Sequence, residues 1–318
     1  MTNRKKRTAI LFFLILLFSA VTAVVFFSRG KAAEKNKYPV TRVSVILPHR
    51  DDGYWSLIAE GIAAEEEELG KLYNIDIRTL IPKLNYNIAQ MTDLLRQQTA
   101  AKVDVIVVQG NENPQFREAL KEAHEEGIQI ICVDTDMEAF PYELYIGTDN
   151  YEAGKLLGEQ LIAMTEGETV VGVVSGAPGY PNLEQRLEGL KNAVADVSEI
   201  QLLDVKYDHY DGLTFMRLYS ELSQEADILV CLEGTGGVTL ESVHAEHGSE
   251  YQYIIGFDAY EGVKRGVLDG IIKQDTNQMG RKIVEEIAGY IQNGSYSTKT
   301  IYTDIHWLTA DNYNEVIG

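Results

Sequence analysis

Two apolar runs in different halves of this chain each stop at an aspartate: IQIICVD, which ends at Asp134, and YIIGFD, which ends at Asp258. A third run, ADILVCLEG, carries Glu233 at its end. An ionised carboxylate accepts hydrogen bonds and donates none, so acids gathered in one pocket bias it toward donors on the guest.

The elements that must position these acids are strands. A run with no alternating polar residues is buried on both faces, as in a parallel sheet covered by helices. In such sheets ligands bind in the crevice beyond the carboxyl ends of the strands. Two sheets that each place an acid at that edge would hold one small polar molecule between them, as a two-lobed clamp.

The surrounding pattern agrees. From Thr41 the chain alternates RVSVIL, an amphipathic stretch from Tyr54 to Gly70, IDIRTLI, a helix from about Tyr86 to Ala101, VDVIVVQ, a helix to about Glu126, and IQIICVD. Ile88, Met91, Leu94 and Leu95 recur at helical spacing, so the second helix buries one face. LYIGTDN then opens a second series: helices over about Tyr151 to Met164, through Glu188 and near Phe215, interleaved with TVVGVVSG, IQLLDV, ADILVCLEG and YIIGFD. A short helix, the strand GIIKQ and a helix from about Gln278 to Ile291 complete it. This repetition predicts an α/β fold of two doubly wound parallel-sheet lobes. A length of 318 residues accommodates two lobes of roughly 100 to 150 residues each.

Before the globular region, Arg4, Lys5, Lys6 and Arg7 precede an uncharged run from Thr8 to Phe27 that lacks glycine and proline. At about 1.5 Å per residue it spans roughly 30 Å, the thickness of a bilayer core. The basic residues predict a cytoplasmic amino terminus, with everything after Phe27 exported. The run is longer than a usual signal-peptide core, and a single-pass anchor is expected. Cleavage after Val21-Thr22-Ala23 is the alternative.

The net charge of −20 becomes −24 once the four basic residues before the run are set aside. Such a body repels phosphate backbones, which excludes nucleic acid as a partner. Cys132 and Cys231 lie in strands of different lobes and are expected to be two buried thiols.

Three segments carry a resemblance to a known family: IGTDNYEAGKLLGEQL (Ile146 to Leu161), QRLEGLKNA (Gln185 to Ala193) and IIGFDAYEGVKRGVLDG (Ile254 to Gly270). In this order and at these separations they resemble the periplasmic binding proteins of the ribose-binding type, whose fold is shared by the ligand domains of LacI-type repressors. The resemblance covers roughly Arg42 to Gly294. It implies three crossovers between the lobes, near Asp149, Gln274 and Thr300. The amino-terminal lobe is then 39–148 plus 275–302 and the carboxy-terminal lobe 149–274 plus 303–318, preceded by a tail, anchor and tether over 1–38.

The resemblance also implies a set of ligand contacts. The loop PHRDDGYWS would supply a polar residue, Asp52, and two aromatics that flank a sugar ring, Tyr54 and Trp55; a hydrophobic staple is the alternative role for that aromatic pair. Gln109 and Asp134 match polar positions at two strand ends. Thr135 follows where the family usually has an arginine, which removes one charged donor. Arg186 matches a sugar-contacting arginine, an ordinary exposed helix arginine being the alternative. Tyr207 falls at a second-lobe aromatic position, which His209 or Tyr210 would fill if the loop is shifted. Glu233 stands where an asparagine is usual. Asp258 and Gln274 complete the set, although Asp258 could instead cap the helix that follows.

Other signals carry less. EGTGGV lacks the spacing of a phosphate-binding glycine loop, and VVSGAPG is not a nucleophile elbow. His244 and His247 have no third ligand at a recognised spacing, so neither a metal nor a cofactor is expected. The function expected is ligand-induced closure around a monosaccharide or polyol, read by a membrane partner: a sensor histidine kinase or the permease of an ABC importer. An enzyme of another class, a glycoside hydrolase using cleft carboxylates, is the competing possibility.

Overall fold

A computed structural model describes residues 36–50, 53–137, 139–243 and 250–317. The chain divides into two compact units, Met1–Pro39 and Val40–Gly318, and the second contains all the elements described below. The expected anchor over Thr8 to Phe27 and the pair His244 and His247 lie outside the described residues. Among the described residues no helix is long and apolar enough to cross a membrane.

Two sheets organise the unit. The first has the order β12-β5-β4-β3-β1-β2 and is parallel throughout. Its strands are β1 (Thr41–Ile46), β2 (Ile75–Leu80), β3 (Val105–Gln109), β4 (Gln129–Asp134), β5 (Leu144–Gly147) and β12 (Thr300–Tyr302). Helices cover it: α1 (Gly53–Glu65), α2 (Ile88–Ala100), α3 (Pro114–Glu125) and, from far along the chain, α9 (Thr276–Asn293). The apolar runs have no polar alternation because each face has its own helices. Val43, Val45, Val105, Val107, Ile131 and Val133 meet α1 and α9, while Ile46, Ile106, Val108, Ile130 and Cys132 meet α2 and α3. Each fully buried Val or Ile contributes about 1.5–3 kcal/mol.

The second sheet has the order β13-β11-β10-β9-β6-β7, with β8 also paired to β6. Its strands are β6 (Thr169–Ser175), β7 (Ile200–Leu202), β8 (Lys206–Tyr207), β9 (Ile228–Cys231), β10 (Tyr253–Phe257), β11 (Gly270–Gln274) and β13 (Ile305–Leu308), of which β13 alone runs antiparallel. One face packs on α4 (Asn150–Met164) and α5 (Pro181–Val194). The other packs on α6 (Gly212–Leu222), α7 (Gly234–Val243) and α8 (Tyr260–Lys264). The two-lobed α/β architecture with parallel sheets matches the expectation. Cys132 and Cys231 are buried and unpaired in different sheets.

The chain passes between the sheets at Thr148–Asp149, at Asp275 and at Thr303–Asp304. Thr300–Tyr302 pairs with β5 and so extends the first sheet before the chain leaves it. Two passages are helix caps: Asp149 accepts from the Glu152 amide at 3.1 Å and Asp275 from the Gln278 amide at 3.0 Å. The passages are also bonded to each other. The Thr303 amide donates to the Gly147 carbonyl at 2.8 Å, and the Asp275 amide to the Asp304 carbonyl at 3.0 Å.

Two boundaries differ from the periodicity. The helix expected from Tyr86 begins at Ile88, because Tyr86 takes a left-handed backbone (φ 54°) and Asn87 caps the helix by accepting from the Gln90 amide at 3.0 Å. The helix expected through Glu188 continues to Val194, whose side chain is buried with Leu190.

Candidate ligand-binding cavity

The carboxyl ends of strands from both sheets open on one cavity of about 490 Å³, within the range of small-molecule pockets. Tyr54, Trp55, Gln109, Asp134, Thr135, Arg186, Glu233, Asp258 and Gln274 all line it. Asp52 lies outside the described residues. Tyr207 does not line the cavity; Tyr210 does.

Asp134 ends β4 with a left-handed backbone, φ 66°, a conformation that aspartate tolerates better than most residues. This turn aims its carboxylate across the strand ends. Oδ2 accepts from Gln109 Nε2 at 2.9 Å and from Thr135 Oγ1 at 2.7 Å, and Oδ1 accepts from the Tyr54 hydroxyl. Burial, reinforced by Asp134, pushes the Tyr54 phenol well up, which keeps it a donor. Trp55 sits in the core beneath the first sheet, makes an edge contact with Tyr54 at 5.3 Å, and donates its indole N–H to the Tyr86 hydroxyl at 2.9 Å. Core staple and cavity wall, the two readings of this aromatic pair, therefore coexist.

Arg186 is no exposed helix arginine, being 4% exposed. Gly154 and Gly189 let α4 and α5 approach so closely that a Cβ on Gly154 would run into the Arg186 carbonyl oxygen. That approach brings Asn150 to the guanidinium, which donates from Nε to Asn150 Oδ1 at 2.8 Å and from an Nη to the Leu232 carbonyl at 3.0 Å. The guanidinium also stacks 4.0 Å from the Phe257 ring centroid.

Asp258 follows β10 with φ 56°, the same left-handed turn as Asp134. It does not cap α8, whose N-cap position is Ala259 without a side-chain bond. Its carboxylate instead accepts from Gln274 Nε2 at 2.5 Å and from the Gln274 amide at 3.3 Å. Gln274 Oε1 accepts from Thr148 Oγ1 at 2.6 Å, which fixes the amide between a lobe passage and the cavity. Burial pushes the Asp258 carboxyl up to about 6, against the opposing pull of Arg186.

Glu233 accepts from the Thr235 and Gly236 amides at 2.8 and 3.3 Å and so closes the first turn of α7, a role its sequence position did not suggest. Burial raises its carboxyl. Asp208, wholly buried, is raised by burial and by the neighbouring Glu233 carboxyl; its Oδ1 accepts from the Tyr210 amide at 2.8 Å.

The place of Tyr210 rather than Tyr207 at the cavity has a local cause. Tyr207 pairs with Ser175 at the end of β8, and then His209 and Tyr210 both take left-handed backbones, φ 57° and 58°. The turn carries Tyr210 over the cavity, where it meets Tyr180 edge-on at 5.7 Å. Tyr86, Tyr180 and Asn182 line the cavity unforeseen. Their only sequence signal is a place in the turn segments PKLNYN and GAPGYPN.

Two parallel-sheet lobes facing each other across a polar cavity make this a two-lobed solute-binding fold. Residues 43–295 match the periplasmic binding protein domain, and the chain belongs to that family, as the resemblance of its three segments implies. It is similar to a D-ribose/D-allose-binding protein of Pseudomonas aeruginosa, 19% identical over 251 residues covering 76% of this chain and 78% of that protein. Among solved structures it is similar to GanP, a glucose-galactose binding protein from Geobacillus stearothermophilus, with 24% identity, a TM-score of 0.76, and coverage of 86% and 99% of the two chains. It is also similar to a chain of the XylFII-LytSN complex, with 22% identity, a TM-score of 0.71 and coverage of 86% and 99%. At these identities the likeness to the solved structures is one of fold.

Proposed function

We propose that this chain is an extracytoplasmic solute-binding protein that closes around a monosaccharide or polyol and reports the closed state to a membrane partner. The observation that carries this reading is the cavity itself, whose walls alternate between the sheets: Tyr54, Gln109 and Asp134 from one, Arg186, Glu233 and Asp258 from the other. Contacts from both sides are made together only in the shut form, so a ligand shifts the equilibrium by its differential affinity. The moving bodies are 39–148 plus 275–302 and 149–274 plus 303–318.

The apolar run Thr8 to Phe27 serves as a single-pass anchor in the cell membrane, with the binding unit outside. An anchored helix is able to pass the state of the lobes to a neighbouring helix, which favours a sensor histidine kinase over an ABC permease as partner. A chain of the same fold is found in the XylFII-LytSN complex, which supports a protein partner for this one.

The test is a thermal-shift screen of the full chain, in a detergent without a sugar headgroup, against pentoses, hexoses, inositols and amino sugars. Stabilisation by at least one, lost in Asp134→Ala and Arg186→Ala, is expected; a flat response across the panel refutes the reading. Hydrolysis of a glycoside by the same preparation would favour the glycosidase instead.

A further inference from the structure

The charges lining the cavity do not balance. Among the described residues that line it, Asp134, Glu233 and Asp258 face a single cation, Arg186. Every hydrogen-bond donor to these three carboxylates is neutral: Tyr54, Gln109 and Thr135 on Asp134, backbone amides on Glu233, and Gln274 and Tyr260 on Asp258. Among the described residues no cationic nitrogen comes within 4.0 Å of any of them. Arg186 attracts Glu233 and Asp258 but gives its bonds to Asn150 and the Leu232 carbonyl and its face to Phe257. A fourth acid, Asp208, lies fully buried next to Glu233, which raises its carboxyl.

Enclosed charge without a counter-charge is costly, and closure of the lobes removes the water that offsets it. A neutral sugar would leave the excess of acid in place, and a phosphorylated or acidic sugar would add to it. An ammonium group supplies the missing charge together with three donors for carboxylate oxygens. The walls suit it too, since Tyr86, Tyr180 and Tyr210 line the cavity, and aromatic rings attract ammonium groups. From this juxtaposition of unpaired acids and aromatic walls we infer that the ligand is a free amino sugar, a monosaccharide whose protonated amine is held by the carboxylates of this cavity. This rests on the sugar-binding reading above and names the class of sugar.

Titration calorimetry on the full chain, in a detergent without a sugar headgroup, compares glucosamine, galactosamine and mannosamine with their N-acetyl derivatives and with glucose, galactose and mannose. At least one free amino sugar is expected to bind ~10-fold or more tightly than both its acetylated and its neutral counterpart, an advantage that shrinks as salt rises. Glu233→Gln and, independently, Asp134→Asn are expected to bring that ratio toward one, circular dichroism confirming that each variant is folded. A neutral or acetylated sugar that binds as well as its amino counterpart overturns the amino-sugar inference and leaves the sugar-binding reading standing. Binding of no sugar in the panel overturns both.

Discussion

Asp134 and Asp258 end strands of different sheets in the same left-handed turn, and two side chains span the distance between them. The Tyr54 hydroxyl donates to Asp134 and lies 3.4 Å from Gln274 Oε1, while Gln274 Nε2 donates to Asp258 at 2.5 Å. Because Thr148, at the first passage between the sheets, donates to the same Gln274 oxygen, this relay links the acids of the cavity to that passage.

Asp134 occupies a left-handed turn and is also the proposed ligand acceptor, and the two duties are separable. Asp134→Asn keeps the backbone preference and removes the charge, so it should fold normally and lose about 1.5–3 kcal/mol of ligand binding. Asp134→Ala should lose the same binding and about 1–2 kcal/mol of stability as well. Urea melts beside titration calorimetry separate the two effects; equal stability of both variants would show that the turn imposes no strain.

The raised Asp258 carboxyl makes stability depend on pH. Its folded value of about 6 exceeds that of about 3.9 in an unfolded chain, so folding favours the protonated form. The contribution of the neutral acid is whole below about pH 4 and is lost as pH rises through 6. Asp258→Asn is neutral throughout. It should stabilise the ligand-free protein at pH 7.5 by on the order of 1–3 kcal/mol, the low end applying because one side of the group meets the cavity. Urea melts at pH 4 should show no such gain, and a gain of equal size at both pH values would rule out this origin.

Arg186 is held by the crossing of α4 and α5, so its geometry is open to attack from a residue that lines no part of the cavity. Gly154→Ala should push the helices apart, destabilise the protein by about 1–3 kcal/mol, and weaken ligand binding through Arg186. Arg186→Lys keeps the charge but loses the planar fork, and should weaken binding with less effect on the melt. Unchanged affinity in a folded Gly154→Ala protein would mean that the crossing does not set the arginine.

Tyr210 and Tyr207 offer a direct contrast. Tyr210→Ala removes a cavity wall and should weaken binding by about 0.5–1.5 kcal/mol. Tyr207→Ala, on β8 and away from the cavity, should leave affinity within error. Calorimetry on both variants decides which tyrosine stands over the ligand.

Much of this protein is legible in its local pattern. Unbroken apolar runs marked the strands of two covered sheets, and the acids that end them, Asp134 and Asp258, fell at the edge where parallel sheets bind ligands. Such features depend on periodicity and on residue chemistry within a few positions. Which side chains meet was settled only in three dimensions: Gln274 with Asp258 and Thr148, Glu233 as the cap of α7, Arg186 between Asn150 and Phe257, and Tyr210 carried past Tyr207 by two consecutive left-handed residues. Those contacts arise from helix crossings and turn conformations that join segments up to 126 residues apart, and no window of neighbouring residues contains the forces that select them.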